Sequence, residues 1–562
     1  MKLKYTFLIA ALGLLALSSC NDYLDKTPDT RVYLQNVDQL NKLLVDAYMG
    51  NDFACVCELS SDNMVDNTAP DKSGNRYNLS AYDLADNQLF AWEDVTLGTG
   101  EDTPYSVWNS CYAAIANANA VLDRAAEFEA NMADDNGPLN YTDSLKLQAV
   151  KGEALLVRAF HHFILANVFC MPYAGPDKGK EQQGLPYMKE CETTVSPMYE
   201  RGNLADFYAN IEADLLAGLP LISDQFHEVS RYHFNRNAAN AFACRFYLWC
   251  RQYDKAKYYA DLALGDNPRV NMNPLWRRSD LYSGEDHVRA NSGINNPSIY
   301  MSIATYSVFS RRPGDRYGCK DNAASGTFRG PGPTWGSSHP CFQGMIFYSG
   351  STEYGLMFYA NWGELFEYTD KLAGIGYVHM MRNEFTVEKC LLERAEAEIF
   401  LQQYDEAVAD LKMWLDNRDD CVNKSSSTTA LTETAIERFY NKPVKNNFEI
   451  NKPMHIDEVF HSDQYPILPR MEPLLQCVQH FRRIETVHKG DRWFDLKRFG
   501  IEIEHRIGTN RIEKLVVGDK RWAIQLPYEV WIAGLEKNER DAKPQEGQPT
   551  PNPGENVTQL RD

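Results

Sequence analysis

Two stretches of the chain, 151 positions apart, repeat one helical pattern, and this repeat restricts the fold more than any other feature. Leu248, Tyr253, Ala256, Ala260 and Leu264 are matched in order by Ile399, Tyr404, Ala407, Leu411 and Leu415, with Tyr-Asp-x-Ala at the turn in both. Small residues at such a crossing let two antiparallel helices approach closely, and the tyrosine fills the gap where they turn. Steps of three and four recur through Val37, Leu40, Leu44 and Ala47, through Trp108, Cys111, Ile115, Ala118 and Leu122, and through Leu147, Val150, Ala154, Val157, Phe160, Ile164 and Val168. Leu204, Phe207, Ile211 and Leu215 add another helix, closed by Gly218 and Pro220. No alternating run is long enough for a large sheet. The sequence predicts an all-α, predominantly helical single body.

The repeated hairpins are similar to tetratricopeptide units, but they are not tandem, so a simple solenoid is excluded. Between them, Asn267 to Tyr377 is a long irregular insertion rich in Gly, Pro and Asn. It carries Trp276, Tyr282, Tyr306, Phe309, Tyr317, Trp335, Phe342, Tyr348, Tyr359 and Trp362, an aromatic content that argues against disorder. Each ring can pack the loop onto the helices or turn a flat face to a ligand such as a sugar. A second polar segment, from Glu58 through Asp62, Asp66 and Arg76 to Trp92 and Glu93, has the character of a binding loop.

At the N-terminus Lys2 and Lys4 precede an apolar run from Phe7 to Leu17, and Leu17-Ser18-Ser19-Cys20 looks like a bacterial lipobox. The run is too short to span a bilayer, which takes about 20 residues. Residues 1–19 are thus expected to be a signal peptide and 20–30 a tether carrying covalent lipid on Cys20, with no other cofactor. Loss of Lys2 and Lys4 with the leader takes the formal charge from −20 to −22. So acidic a chain is repelled by nucleic acid and by anionic headgroups, and membrane attachment falls to the lipid anchor. The thirteen cysteines suggest disulfides, yet Cys111, Cys170, Cys244, Cys250, Cys390 and Cys477 sit in apolar helical patterns, where a thiol is a small hydrophobe. Few or no disulfides are expected.

The most distinctive words come late. Leu474, Val478, Phe481 and Ile484 form a helix that Gly490 breaks; Asp491 can cap the next, whose Trp493, Leu496 and Phe499 face the core. Glu485, Arg492, Asp495 and Arg498 could form a buried charge network between the two. Arg483-x-Glu485 followed by Gly490-Asp-Arg492-Trp-Phe-Asp495-Leu-Lys-Arg498-Phe-Gly500 resembles the C-terminal signature of the SusD/RagB family of outer-membrane nutrient-binding lipoproteins. The lipobox, Ser-Ser-Asp62-Asn, Arg158-Ala-Phe160-His-His-Phe163, the Tyr253 hairpin and Trp522-Ala-Ile-Gln-Leu-Pro527 follow in that family's order. The resemblance implies an N-terminal helical region over 31–235, a C-terminal region with the hairpins and ligand-face loops over 236–540, and a disordered tail over 541–562. It also implies a cell-surface lid over a SusC-like TonB-dependent transporter barrel, anchored in the outer membrane, that captures an oligosaccharide or peptide. Ligand residues carried over from the family are Asp62, Asp66, Arg76 and Trp92 in the first loop and Tyr306, Tyr317 and Trp335 in the second; Glu485, Arg492, Asp495 and Arg498 are expected to be structural.

Enzyme motifs are lacking. There is no Gly-x-Ser-x-Gly, no His-Glu-x-x-His, no Gly-x-x-x-x-Gly-Lys and no zinc spacing of cysteines. His161-His162 lies mid-helix, where a satisfied pair outweighs a metal site. The expected function is non-catalytic binding of an oligosaccharide; the alternatives are a peptide receptor of the same architecture and a surface glycoside hydrolase, which needs two carboxylates roughly 5–10 Å apart.

Overall fold

The helical period is realised from the first residues that can be placed. The computed structural model describes residues 36–541 other than 71–73, 75, 77–78, 82, 97, 134–140, 195–196, 274–283, 294, 315, 321–329, 336–345, 349–355, 360–362, 420–429, 443–449 and 461–464. The leader, Cys20, the tether, Trp276, Tyr282, Phe342, Trp362 and the tail after Asp541 lie outside the described residues, as do the side chains of Tyr348 and Tyr359.

Helices α1 (Val37–Val45), α2 (Ala54–Ser60) and α3 (Leu84–Phe90) lead to the long pair α4 (Pro104–Ala133) and α5 (Tyr141–Phe169). Then follow α6 (Leu204–Gly218), α7 (Arg236–Trp249), α8 (Tyr253–Leu264) and α9 (Gly284–Ser292). After the insertion come α10 (Val387–Phe400), α11 (Tyr404–Asp419), α12 (Glu433–Tyr440), α13 (Met471–Glu485), α14 (Asp491–Phe499) and α15 (Tyr528–Ile532). Side-chain caps mark several starts: Asn36, Asn203, Asn235, Thr386 and Thr432 each accept from a backbone N–H of the first turn.

The hairpins α7–α8 and α10–α11, far apart in sequence, are neighbours in space, because α8 packs on α10 and the insertion loops out between them. The Tyr253 ring lies flat on Phe400 at 4.0 Å and fastens one hairpin to the other. Their turns are built alike. Arg251 and Gln402 both take left-handed backbone (φ 52° and 60°), while the next amides, of Gln252 and Gln403, bond back to Tyr247 and Glu398 at 2.9 and 2.8 Å. A side chain in that conformation costs about 1 kcal/mol that glycine does not. Gln402 is exposed, so Gln402→Gly is expected to raise stability by about 0.5–1 kcal/mol, read as a higher denaturant midpoint at unchanged slope.

Helix α5 is the spine. From Leu147 on it is buried on nearly every face, with α4 and α6 along its length. Phe160 meets Phe234, Phe242 and Phe385 edge-on at 5.9, 5.6 and 5.8 Å. Where α5 crosses α6, Gly152 and Gly218 let the backbones touch: a Cβ on Gly152 would fall 2.7 Å from the Leu221 Cβ, and one on Gly218 2.8 Å from the Gly152 carbonyl oxygen.

The insertion is more regular than its composition predicts. Strands β2 (Ile299–Thr305), β7 (Ile375–Thr386) and β6 (Glu364–Asp370) form an antiparallel sheet in the order β2-β7-β6. A second sheet runs β1-β3-β5-β4 (Val65–Asp66, Tyr317–Lys320, Leu356–Tyr359, Ile346–Tyr348), and β8 (Ile503–Ile507) pairs with β9 (Arg511–Leu515). The twelve residues of β7 pass from exposed at Ile375 to buried throughout from Arg382. Such a strand shows no sustained alternation, which is why the period-two signal fails there.

The late charge network exists in a different form. Asp495 bonds Arg482 of α13 and Arg498 of its own helix at 3.0 and 3.2 Å, and both arginines also hold Glu396 of α10. Glu485 takes no part; its carboxylate accepts from the Trp414 indole at 3.0 Å and from Arg418. Arg492 reaches back to Asp62 at 2.9 Å. Asp491 does not cap α14: Gly490 occupies the cap at φ 85°, and the Asp491 carboxylate faces Lys389 and Arg382 at 3.2 and 3.4 Å. The nine cysteines whose side chains are described are free thiols, seven of them buried. Burial pushes the Cys111 and Cys477 thiols up from their ordinary range, which keeps them inert.

Candidate functional site

The residues carried over as ligand contacts divide sharply once placed. Asp62 is buried; its carboxylate accepts from Arg492 at 2.9 and 3.0 Å and from the Lys452 ammonium at 2.6 Å, with Arg483 at 3.5 Å. Burial alone would raise its pKa, but the Arg483, Arg492 and Lys452 cations hold it well below the ordinary carboxylate range. Asp66 is buried too, taking Arg316 at 2.7 Å and the Gly508 amide at 2.9 Å. Trp92, at φ 52°, donates its indole N–H to the Ser60 carbonyl at 2.8 Å and stacks on His505 at 4.2 Å. His505 is sandwiched against Phe90 on its other face, and Phe90 in turn stacks on Tyr317 at 4.4 Å. Tyr317 donates its hydroxyl to Asn87 at 2.7 Å, and Trp335 bonds the Gly330 carbonyl at 3.0 Å while packing against Phe481. These rings are the floor that pins the loops down. Only Tyr306 and Arg76 reach solvent.

An opening of another kind lies elsewhere, on α4. Tyr105, Trp108 and Tyr112, at helical spacing on one face, wall a cavity of about 670 Å³ open to solvent, closed opposite by Met188, Met198, Tyr199 and the start of α15. Asn109, Glu190, Glu192 and Glu529 supply polar groups, and none of the described lining residues is Lys, Arg or His. The wall from Pro186 to Glu190 is held from below by side chains of α4 and α5. The Tyr112 hydroxyl donates to the Pro186 carbonyl at 2.9 Å, Asn119 to the Met188 and Glu190 carbonyls at 3.2 Å, and Arg158 to the Lys189 carbonyl at 2.9 Å. Arg158 is fixed in turn by a two-pronged bond to Asp214 at 2.7 Å. Arg201 ties the far end, donating to the Gly184 and Glu536 carbonyls at 2.7 and 3.1 Å. The cavity is therefore preformed.

His162 belongs to this support. Its Nδ1 donates to the Arg158 carbonyl at 2.8 Å and its Nε2 accepts from the Met188 amide at 3.1 Å; His161 does the same between Val157 (2.7 Å) and Met49 (3.0 Å). These partners require the neutral ring, and burial holds His161 down to about 4 and His162 well below its ordinary range. Sequence reasoning found the α4 helix but missed the cavity, whose other walls come from 186–192, 197–199 and 529–535. The Tyr105-Trp108-Tyr112 spacing was the one available signal.

Among the described residues, two largely buried clusters bring metal-type ligand atoms within 4.8 Å of one another: Glu153, His227 and His233, and Cys244, Cys390 and Glu393. In the first, the imidazoles stack at 3.9 Å and 15°, so no single ion can lie in both ring planes, and Glu153 already accepts from His233 at 2.9 Å and Tyr48 at 2.7 Å. In the second, Glu393 is bonded to Arg245 at 2.7 Å. Both read as internal polar contacts.

Residues 22–248 match the SusD-like family model described as "Starch-binding associating with outer membrane". No curated protein matches the chain. Among solved structures, it is similar to a SusD superfamily protein of Bacteroides vulgatus, with 18% identity over 92% of this chain and 100% of that one at a TM-score of 0.57. A SusD superfamily protein of Bacteroides thetaiotaomicron is 17% identical over 90% and 100% of the two chains at a TM-score of 0.55. A SusD-like carbohydrate binding protein of Bacteroides vulgatus is 16% identical over 89% and 96% at 0.51.

Proposed function

We propose that the chain is a SusD-like, non-catalytic receptor for neutral oligosaccharides at the outer membrane, held there by lipid on Cys20 and passing its ligand to a SusC-like TonB-dependent transporter; the family model over residues 22–248 supports the reading. The observation that carries the ligand class is the α4 cavity. Tyr105 and Tyr112, half-buried over the buried Trp108, offer ring surface to the C–H faces of a pyranose, and Asn109, Glu190 and Glu529 offer partners for the hydroxyls. With only carboxylates charged among its described lining residues, it disfavours uronates and sulfated sugars by like-charge repulsion.

Calorimetric titration of the body beginning at Asn21 against neutral oligosaccharides, acidic oligosaccharides and a peptide digest tests the reading. Saturable binding of neutral glycans, weakened at least tenfold by Tyr105→Ala, is expected. Binding of peptides alone, or hydrolysis of a labelled glycan, overturns it. A second location has its own support, since Tyr306 and Arg76 are exposed; loss of binding on Tyr306→Ala with Tyr105→Ala silent moves the site there. For the anchor, Cys20→Ser is expected to shift the protein from the membrane fraction to the soluble one and to abolish incorporation of labelled acyl chains.

A further inference from the structure

The hairpin of β6 and β7 leaves the body. Strand β2 pairs with β7 only from Met380 to Thr386, whereas β6 pairs with Ile375 to Met380, so beyond Met380 the ribbon is two-stranded. Among the described residues, β6 has no partner on its outer side. A two-stranded ribbon in water is marginal, yet this one is tightly built. The Asp370 carboxylate accepts from the Leu372 and Ala373 amides at 2.9 and 3.0 Å, Gly374 makes the turn at φ 68°, the Tyr377 hydroxyl bonds Glu367 at 2.9 Å, and the Phe366 ring covers Gly376.

This ordered ribbon displays apolar side chains to solvent. Phe366, Tyr368, Tyr377 and Ile375 are 43, 53, 49 and 60% exposed, and Leu372 at the tip is fully so. Rigid exposed apolar surface beside an open strand edge is the form of a β-addition site. Charge selects the occupant. The ribbon carries Glu364, Glu367 and Asp370 against Lys371, and Glu364 is already paired with Arg311 at 2.6 and 2.9 Å, which leaves Glu367 and Asp370 as its outlying acids on a chain of formal charge −20. Antiparallel pairing of β6 with a second copy about its centre would set Glu367 directly against Glu367, which disfavours self-association. Anionic headgroups are repelled for the same reason.

We infer that the β6–β7 hairpin is a docking element for an extended basic segment of a partner protein, which joins the edge of β6 as an added strand. The main chain of β6 supplies the hydrogen bonds, the exposed rings supply apolar contact, and Glu367 and Asp370 receive the partner's cations. The inference stands apart from the ligand reading and does not depend on it.

The probe is a ten-residue peptide alternating Lys with Val and Tyr, compared with its Glu-for-Lys counterpart and with a backbone N-methylated version. Titration against the body beginning at Asn21 is expected to show saturable binding of the basic peptide and at least tenfold weaker binding of the other two. The double substitution Phe366→Ser and Tyr368→Ser should abolish it, while glycan titration and the unfolding midpoint stay unchanged. Absence of binding overturns the proposal, as does binding indifferent to N-methylation or to the double substitution. Sedimentation showing a dimer that the double substitution dissolves would assign the hairpin to a second copy, and binding to anionic vesicles lost in the same variant would assign it to lipid; either result overturns the proposal.

Discussion

Asp62→Asn is expected to cost about 3–5 kcal/mol of folding stability at pH 7 while leaving the fold recognisable by circular dichroism. The carboxylate lies between Arg492 and Lys452, with Arg483 at 3.5 Å, and all four residues are buried. Removing its charge strands those cations away from water, which is why breaking such a cluster costs far more than forming it returns. The sign of the pH dependence follows. The ordinary value is 3.8, and in the folded protein the neighbouring cations hold it well below that despite burial. A depressed acid contributes stability that is complete above its unfolded value and lost as pH falls through the folded one, so the wild type should lose stability below about pH 4. The Asn variant should lack that part of the acid limb. Chemical denaturation from pH 2 to pH 7 measures both. A loss under about 1 kcal/mol accompanied by weaker glycan binding would return Asp62 to the ligand face.

Ala116→Trp is expected to weaken binding of neutral oligosaccharides at least tenfold, a change of about 1.4 kcal/mol, with a loss of stability no larger than about 0.7 kcal/mol. Ala116 is exposed on α4 and lines the cavity, so an indole there occupies ligand space without entering the core. The helical cost of the substitution is small, at most about 0.7 kcal/mol. Calorimetric titration beside thermal unfolding separates the two effects. Undiminished binding by a variant of unchanged midpoint would take the ligand off α4. Truncating Trp108 is a poorer test, because its ring also packs edge-on against Phe169 at 5.3 Å and its loss disturbs the helix pair.

Much of the helical architecture was legible in the chain because a helix declares itself locally. The steps through Val37, Trp108, Leu147 and Leu204 became α1, α4, α5 and α6, and the twin Tyr-Asp-x-Ala words became two hairpins with the same left-handed residue at the turn. The β6–β7 hairpin stayed hidden because one strand crosses from solvent to core, and that crossing erases its alternation. The ligand candidates were the weaker inference. Asp62, Asp66, Trp92, Tyr317 and Trp335 have the residue types of a sugar site, but a tryptophan or aspartate looks the same in sequence whether it faces a ligand or satisfies an interior partner.

The sequence by itself determined the buried faces of the helices, the break at Gly490 and the family words, since these follow from residues within a turn or two of one another. Only the tertiary structure decided that Ser-Ser-Asp62-Asn and Arg483-x-Glu485…Arg492 are two halves of one cluster. Arg483 donates to the Asn63 side chain at 2.7 Å, and the Gly490 amide donates to Glu58 at 2.9 Å, across more than four hundred residues. A buried carboxylate is either a costly isolated charge or a satisfied one, and which it is depends on partners that no local pattern names.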